Sequence, residues 1–205
     1  PGGKSRACTK MDPYFPDLRN YKQFREPFLG GGSVAIHVTK KYPHLNIWVN
    51  DLYEPLVNFW QQLQMFGDDI KGQLSDYKLS NNTPTLAKDL FLKSKEKVND
   101  KGFPSIDRAV AFYIVNKCSF SGLTESSSFS EQASNSNFSL RGIEKLPSYS
   151  EIIKNWTITN YSYDYLLTVE DSTFVYLDPP YDIKDNLYGK KGSMHKKFTS
   201  NKKCM

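Results

Sequence analysis

The sequence predicts an α/β fold with a mainly parallel sheet, and three stretches carry that prediction. Thr173-Phe174-Val175-Tyr176-Leu177 is an unbroken apolar and aromatic run, the pattern of a strand buried on both faces of such a sheet. Asp178-Pro179-Pro180-Tyr181 ends it, because prolines lack the amides a ladder needs. Asp178 is thereby left at the strand's carboxyl end, the edge where open α/β sheets bind ligands. Residues 23–38 read as a short strand, a glycine-rich turn at Gly30-Gly31-Gly32 and a helix capped near Ser33. Leu45-Asn46-Ile47-Trp48-Val49 reads as a second strand, ending in Asn50-Asp51.

Composition narrows the class. With 205 residues the chain makes one sizeable domain, or a domain with a large insertion. No apolar run approaches about 18 residues, so neither a membrane span nor a secretory signal is predicted. A net charge of +5 suits an anionic partner such as nucleic acid without identifying one. Cys8, Cys118 and Cys204 lack metal-ligand spacing and cannot all pair, which points to a reducing, cytoplasmic setting. His37, His44 and His195 are scattered, so no metal is expected, and His37 is read as a residue on its helix's core-facing side.

The remaining elements follow in order. Leu56, Val57, Phe59, Trp60, Leu63 and Phe66 predict an amphipathic helix, and Leu86, Leu90, Phe91 and Val98 a second. A third, from Ile106 to about Lys117, carries the polar Asn116 in its last turn. The serine-rich residues 126–137 are expected to form an exposed loop or hairpin. Trp156 to Tyr161 reads as a strand and Tyr165-Leu166-Leu167 as a helical turn leading back to Thr173. The interval of 150 residues between Phe28 and Asp178 far exceeds what the intervening strands need. Residues 61–149 are therefore expected to be a mainly helical insertion, with residues 1–60 and 150–205 as the core.

These residue types already suggest chemistry. A carboxylate at Asp178 only accepts hydrogen bonds, proline carbonyls accept beside it, and Tyr181 adds a ring. That set suits an exocyclic amine on a planar heterocycle. Gly30, Gly31 and Gly32 let the backbone approach a ligand closely, and the helix that follows offers amides to a carboxylate or phosphate. Asp51 lies twenty residues after Gly31, the spacing at which an acidic residue meets ribose hydroxyls. It equally suits a cap ahead of Tyr53-Glu54-Pro55, and the two roles are compatible. Gly3-Lys4-Ser5 matches only the tail of a phosphate-binding loop, and three adjacent glycines do not make the Gly-x-Gly-x-x-Gly of a dinucleotide oxidoreductase.

Glu26-Pro27-Phe28-Leu29-Gly30-Gly31-Gly32 with Asn50-Asp51, Asn116 ahead of Gly122-Leu123, and Asp178-Pro179-Pro180-Tyr181 together resemble the Dam-type DNA adenine methyltransferases, which use S-adenosylmethionine. The resemblance implies a Rossmann-like methyltransferase sheet with an inserted target-recognition domain. It implies Phe28, Gly30, Gly31 and Gly32 around the donor's methionine portion, Asp51 on its ribose and Lys4 at its amino-acid end. Ser162-Tyr163 stands where the family often sets an acid and an aromatic ring against the donor's adenine. Asp178, Pro179, Pro180 and Tyr181 are the implied catalytic residues, acting on N6 of an adenine flipped out of double-stranded DNA, with no metal. Thr124 departs from the arginine that commonly follows Gly-Leu. Only 24 residues follow Tyr181, so the chain is expected to be truncated at both ends and its sheet incomplete on the carboxyl-terminal side. The rival readings are an N4-cytosine methyltransferase, a catalytically incompetent fragment, and a DNA-binding module that ignores the donor.

Overall fold

A computed structural model of the chain describes residues 5–120, 127–168 and 170–179. Of the residues singled out above, Lys4, Gly122, Leu123, Thr124, Pro180, Tyr181, His195 and Cys204 lie outside the described residues. Four parallel strands, β1 (Gln23–Glu26), β2 (Asn46–Asn50), β3 (Thr157–Thr159) and β4 (Thr173–Val175), stand in the order β3-β2-β1-β4. From β1 the chain moves outward to β2 and β3, then crosses back to β4 on the other side of β1. The carboxyl ends of β1 and β4 therefore flank the point where the winding reverses, the crevice in which sheets of this kind bind ligands. Arg25 pairs with Val175, so Phe28 and Asp178 each follow their strand's last β1–β4 pairing by three positions.

Strand alternation gives the sheet two unlike faces. Phe24, Ile47, Val49 and Ile158 point to one, in a core that also holds Val34, Ala35 and Val38 of α2 (Ser33–Lys41). The other carries Gln23, Arg25, Trp48, Thr159 and Val175, and is far more polar. β4 departs from expectation. It is one of the two outer strands of the described sheet, and its three residues are half-buried instead of closed on both faces. β1 covers one edge, and Phe15, Tyr21 and Phe24 surround Phe174 on one face with ring centroids 5.5, 6.0 and 6.1 Å away.

α1 (Ser5–Met11) leads through Asp12 to the sheet. Asp12 accepts from Lys41 at 2.9 Å and bonds His37 at 2.8 Å. His37 thus sits at a half-buried polar junction, not on the core face that its spacing suggested. α3 (Glu54–Ser80) extends well past the Leu56–Phe66 pattern and bends at Phe66 (φ −132°, ψ 40°). At the bend α8 (Leu146–Ile153) packs close, and its Ser150 hydroxyl donates to the Gln64 carbonyl at 3.2 Å, the kind of side-chain contact that accompanies helix kinks. Gly67 admits α8 there, since a Cβ would stand 2.6 Å from that of Ser150.

α4 (Pro84–Lys97) and α5 (Ser105–Cys118) pack with α3, and α5 is buried continuously from Arg108 to Val115. The Arg108 guanidinium pairs with Glu54 and donates to the Val98 carbonyl, joining the start of α3 to the end of α4. The serine-rich stretch is not simply an exposed loop. Ser130 caps α6 (Glu131–Ser136) by accepting from the Ala133 amide at 3.2 Å, and Ala133 and Ser134 are buried. Serine's low helix propensity is offset by that cap and by tertiary burial. α7 (Leu140–Ile143) leads into α8. Among the described residues no helix is long and apolar enough to cross a membrane.

Candidate active site

The glycine turn after β1 is held by contacts from three elements. Gly30 (φ 48°) and Gly32 (φ 67°) both occupy the left-handed region, where a side chain strains the backbone. Their surroundings differ. A Cβ on Gly32 would lie 2.8 Å from the Trp60 ring of α3, whereas nothing lies within 4 Å of the same point on Gly30. The Trp60 indole also donates to the Gly30 carbonyl at 3.2 Å, and the Leu29 amide donates to the Asn50 carbonyl at 2.8 Å. Gly31 is exposed.

Ser33 opens α2 but does not cap it. Gly32 occupies the cap position, and the buried Glu26 carboxylate reaches from β1 to accept from the Ala35 amide at 3.0 Å. A carboxylate at a helix amino end is favoured by both the free amide and the dipole.

Asp51 and Asn50 lock the turn to the rest of the edge. Asp51 accepts from the Gly30 amide through Oδ2 at 2.9 Å and from the Tyr53 amide through Oδ1 at 3.0 Å. Tyr53, not Asp51, occupies the cap position of α3 and no side chain caps it, so the expected cap is replaced by a tight turn in which Asp51 accepts from the Tyr53 amide while the same carboxylate grips the glycine turn. Asn50, 1 % exposed, donates to the carbonyls of Pro27 (3.2 Å) and Tyr161 (3.0 Å). Its oxygen accepts from the Tyr161 amide (2.8 Å) and the Thr159 hydroxyl (2.9 Å). One side chain therefore fastens the ends of β1, β2 and β3 together.

Beyond β3, a 3-10 turn (Tyr163–Leu166) brings Tyr163 onto Phe28, with ring centroids 5.4 Å apart and planes 27° from parallel. Ser162 is exposed. Asp178 is half-buried and Pro179 exposed, past the end of β4. The structure so brings Phe28, Gly30, Gly32, Asp51 and Tyr163 to one edge, and Asp178 with Pro179 leaves the neighbouring strand at that same edge. Asn116 is half-buried in the last turn of α5. Beside it burial lowers the Lys117 pKa and pushes the Cys118 thiol up to about 12, so that thiol is protonated and is no nucleophile.

Glu26, Asn50 and Trp60 shape the site without having been singled out for those roles. Trp60 was visible only as one apolar position in a helix, and Glu26 only as part of a motif. Their partners are nine and thirty residues away in sequence, at Ala35 and Gly30, beyond the reach of local pattern.

Residues 1–204 match the family model for D12 class N6 adenine-specific DNA methyltransferases. The chain is similar to the type II methyltransferase M.MjaIII of Methanocaldococcus jannaschii, with 24% identity over 192 residues that cover 88% of this chain and 66% of the relative. It is similar to the type II methyltransferase M1.LlaDCHI of Lactococcus lactis subsp. cremoris at 25% identity, covering 88% and 63%. A DNA N-6-adenine-methyltransferase of Escherichia phage P1 shares 28% identity over 60% of this chain and 15% of its own length. The chain thus spans just under two thirds of the length of the first two relatives. By the match over nearly its whole length, the chain belongs to the D12 class of N6 adenine-specific DNA methyltransferases.

Proposed function

We propose that the intact protein transfers a methyl group from S-adenosylmethionine to N6 of an adenine flipped out of double-stranded DNA. The observation that carries this reading is the edge itself: the glycine turn with Asp51, and Asp178 with Pro179, leave adjacent parallel strands at the point where the winding reverses. The residues fit the donor. Gly30 leaves open space where a side chain would stand, and Phe28 and Tyr163 offer an aromatic pair. Phe28, Gly30, Gly31, Gly32 and Asp51 are assigned to hold it, with Lys4 assigned from sequence alone.

S-adenosylmethionine supplies an electrophilic methyl carbon on a sulfonium centre. The chain's task is to present the amine. Its target nitrogen is inaccessible inside a duplex, so the base must leave the stack. Tyr181, assigned from sequence, stacks on the extruded ring, an interaction worth about 1–3 kcal/mol. The Asp178 carboxylate and the Pro179 carbonyl accept the two N–H bonds, which turns the nitrogen lone pair toward the methyl carbon. Such alignment supplies up to about 7–11 kcal/mol of the barrier. The same acceptors stabilise the positive charge that develops on nitrogen before its proton leaves. Pro180, assigned from sequence alone, has no amide with which to extend a ladder. Residues 61–149 are proposed to read the DNA, and residues 1–60 and 150–205 to carry the chemistry, in a cytoplasm where DNA is accessible.

Incubation of the intact protein with labelled S-adenosylmethionine and unmethylated DNA tests the reading. Label in N6-methyladenine is expected. Label in N4-methylcytosine, or none from a folded, donor-binding protein, overturns it.

A further inference from the structure

The connection from β3 back to β4 runs over the polar face of the sheet. A crossover between parallel strands is usually an amphipathic helix that buries an apolar stripe. Here the described part of the crossover holds a single 3-10 turn with Leu166 as its buried residue, while Tyr161, Tyr165 and Leu167 are exposed. Apolar burial is therefore slight, and two buried polar side chains serve in its place. Asn50 holds the near end through both the amide and the carbonyl of Tyr161.

Arg25 holds the far end. It sits on β1 at 4 % exposure, and its Nη1 donates to the carbonyls of Leu166 (3.3 Å) and Thr168 (2.6 Å). Nε donates to the Gln23 side chain at 2.7 Å, and the guanidinium carbon lies 4.9 Å from the centroid of the Trp48 ring. Among the described residues Arg25 makes no salt bridge. A buried guanidinium is costly unless its donors are used, and two of the acceptors it finds are crossover carbonyls. Between the two anchors, Tyr163 lies on Phe28.

We propose that Arg25 is a positioning residue for the methyl-donor site, acting through the crossover to hold Tyr163 against Phe28. The proposal rests on the donor site described under the proposed function. Arg25→Met keeps the stem and removes the donors, whereas Arg25→Lys keeps the charge but lacks the forked donors. Two measurements on the intact protein decide it. The first is hydrogen exchange at the Tyr165 and Leu167 amides, which bond to the Ser162 and Asp164 carbonyls. Arg25→Met should speed it about tenfold, Arg25→Lys less, and β1–β2 amides not at all.

The second is the affinity for S-adenosylhomocysteine, which should fall about tenfold in the same order and show little further loss when Arg25→Met is added to Tyr163→Leu. Unchanged exchange in a folded Arg25→Met protein overturns the anchoring, as does equal loosening of β1–β2. Loosened exchange with unchanged affinity, or additive losses in the double variant, overturns the positioning role. Should Arg25→Met not fold, Arg25→Lys is read by the same two measurements. A wild-type protein that binds no S-adenosylhomocysteine sinks the donor site and this role with it, and is told apart from a failed anchor by the exchange result.

Discussion

Two turns leave the carboxyl edge of the sheet one strand apart, and they are built in opposite ways. After β1, residues 26–32 are pinned by Ala35, Asn50, Asp51 and Trp60 through buried and partly buried hydrogen bonds. After β4, Asp178 and Pro179 follow a strand of three half-buried residues paired on one side to β1 and packed against an aromatic cluster. Regions rich in buried contacts open at a free energy near that of global unfolding, whereas sparsely packed ones open locally. Among the described residues the donor side thus carries more of the buried contacts along the edge, and it is expected to be the more rigid half.

Substitutions on each side sharpen that contrast. Gly32→Ala should have the largest effect, since it combines left-handed strain with a clash against Trp60, and should cost about 2–5 kcal/mol of stability by chemical denaturation. Phe174→Ala removes the centre of the aromatic cluster under β4 at about 2–3 kcal/mol, less than for a fully buried phenylalanine. It should depress methyl transfer more than S-adenosylhomocysteine affinity, and the reverse pattern would erase the distinction between the halves. Asn50→Ala leaves several buried groups unpaired and should cost about 1–3 kcal/mol, with weaker donor binding measured by calorimetry.

The smallest effect is expected far from the site, at Asp12. Hydrogen bonds from Lys41 and then His37 hold its carboxyl below the usual range. A depressed carboxyl stabilises the fold above its unfolded pKa and loses that contribution as the pH falls through the folded value. Asp12→Asn should therefore lower Tm slightly near about pH 7 and not near about pH 2. An equal change at both would show that charge is not the cause.

What could be read from the sequence was local. The glycine turn and the strand ending in Asn50-Asp51 each depend on neighbours within a few residues, whereas β4 ends at Val175, ahead of the prolines expected to stop it. The local turn between Asp51 and the Tyr53 amide, two residues on, was within reach of the sequence, although it does not cap α3. The grip of Asp51 on Gly30, the reach of Glu26 to α2, and the hold of Arg25 on Leu166 depend on partners brought together by the fold. β4 misled for a related reason: an apolar run records what could be buried, and the described sheet supplies a neighbour on one side only. The length of α3 was hidden by its bend at Phe66, past which the helix continues to Ser80.

The division of labour along the edge is tested most directly by Asp178→Ala in the intact protein, assayed in parallel for S-adenosylhomocysteine binding by calorimetry and for labelled methyl transfer to unmethylated DNA. The account predicts wild-type affinity for the nucleoside with no N6-methyladenine formed. Transfer that survives the substitution, or donor binding lost along with it, would contradict the account.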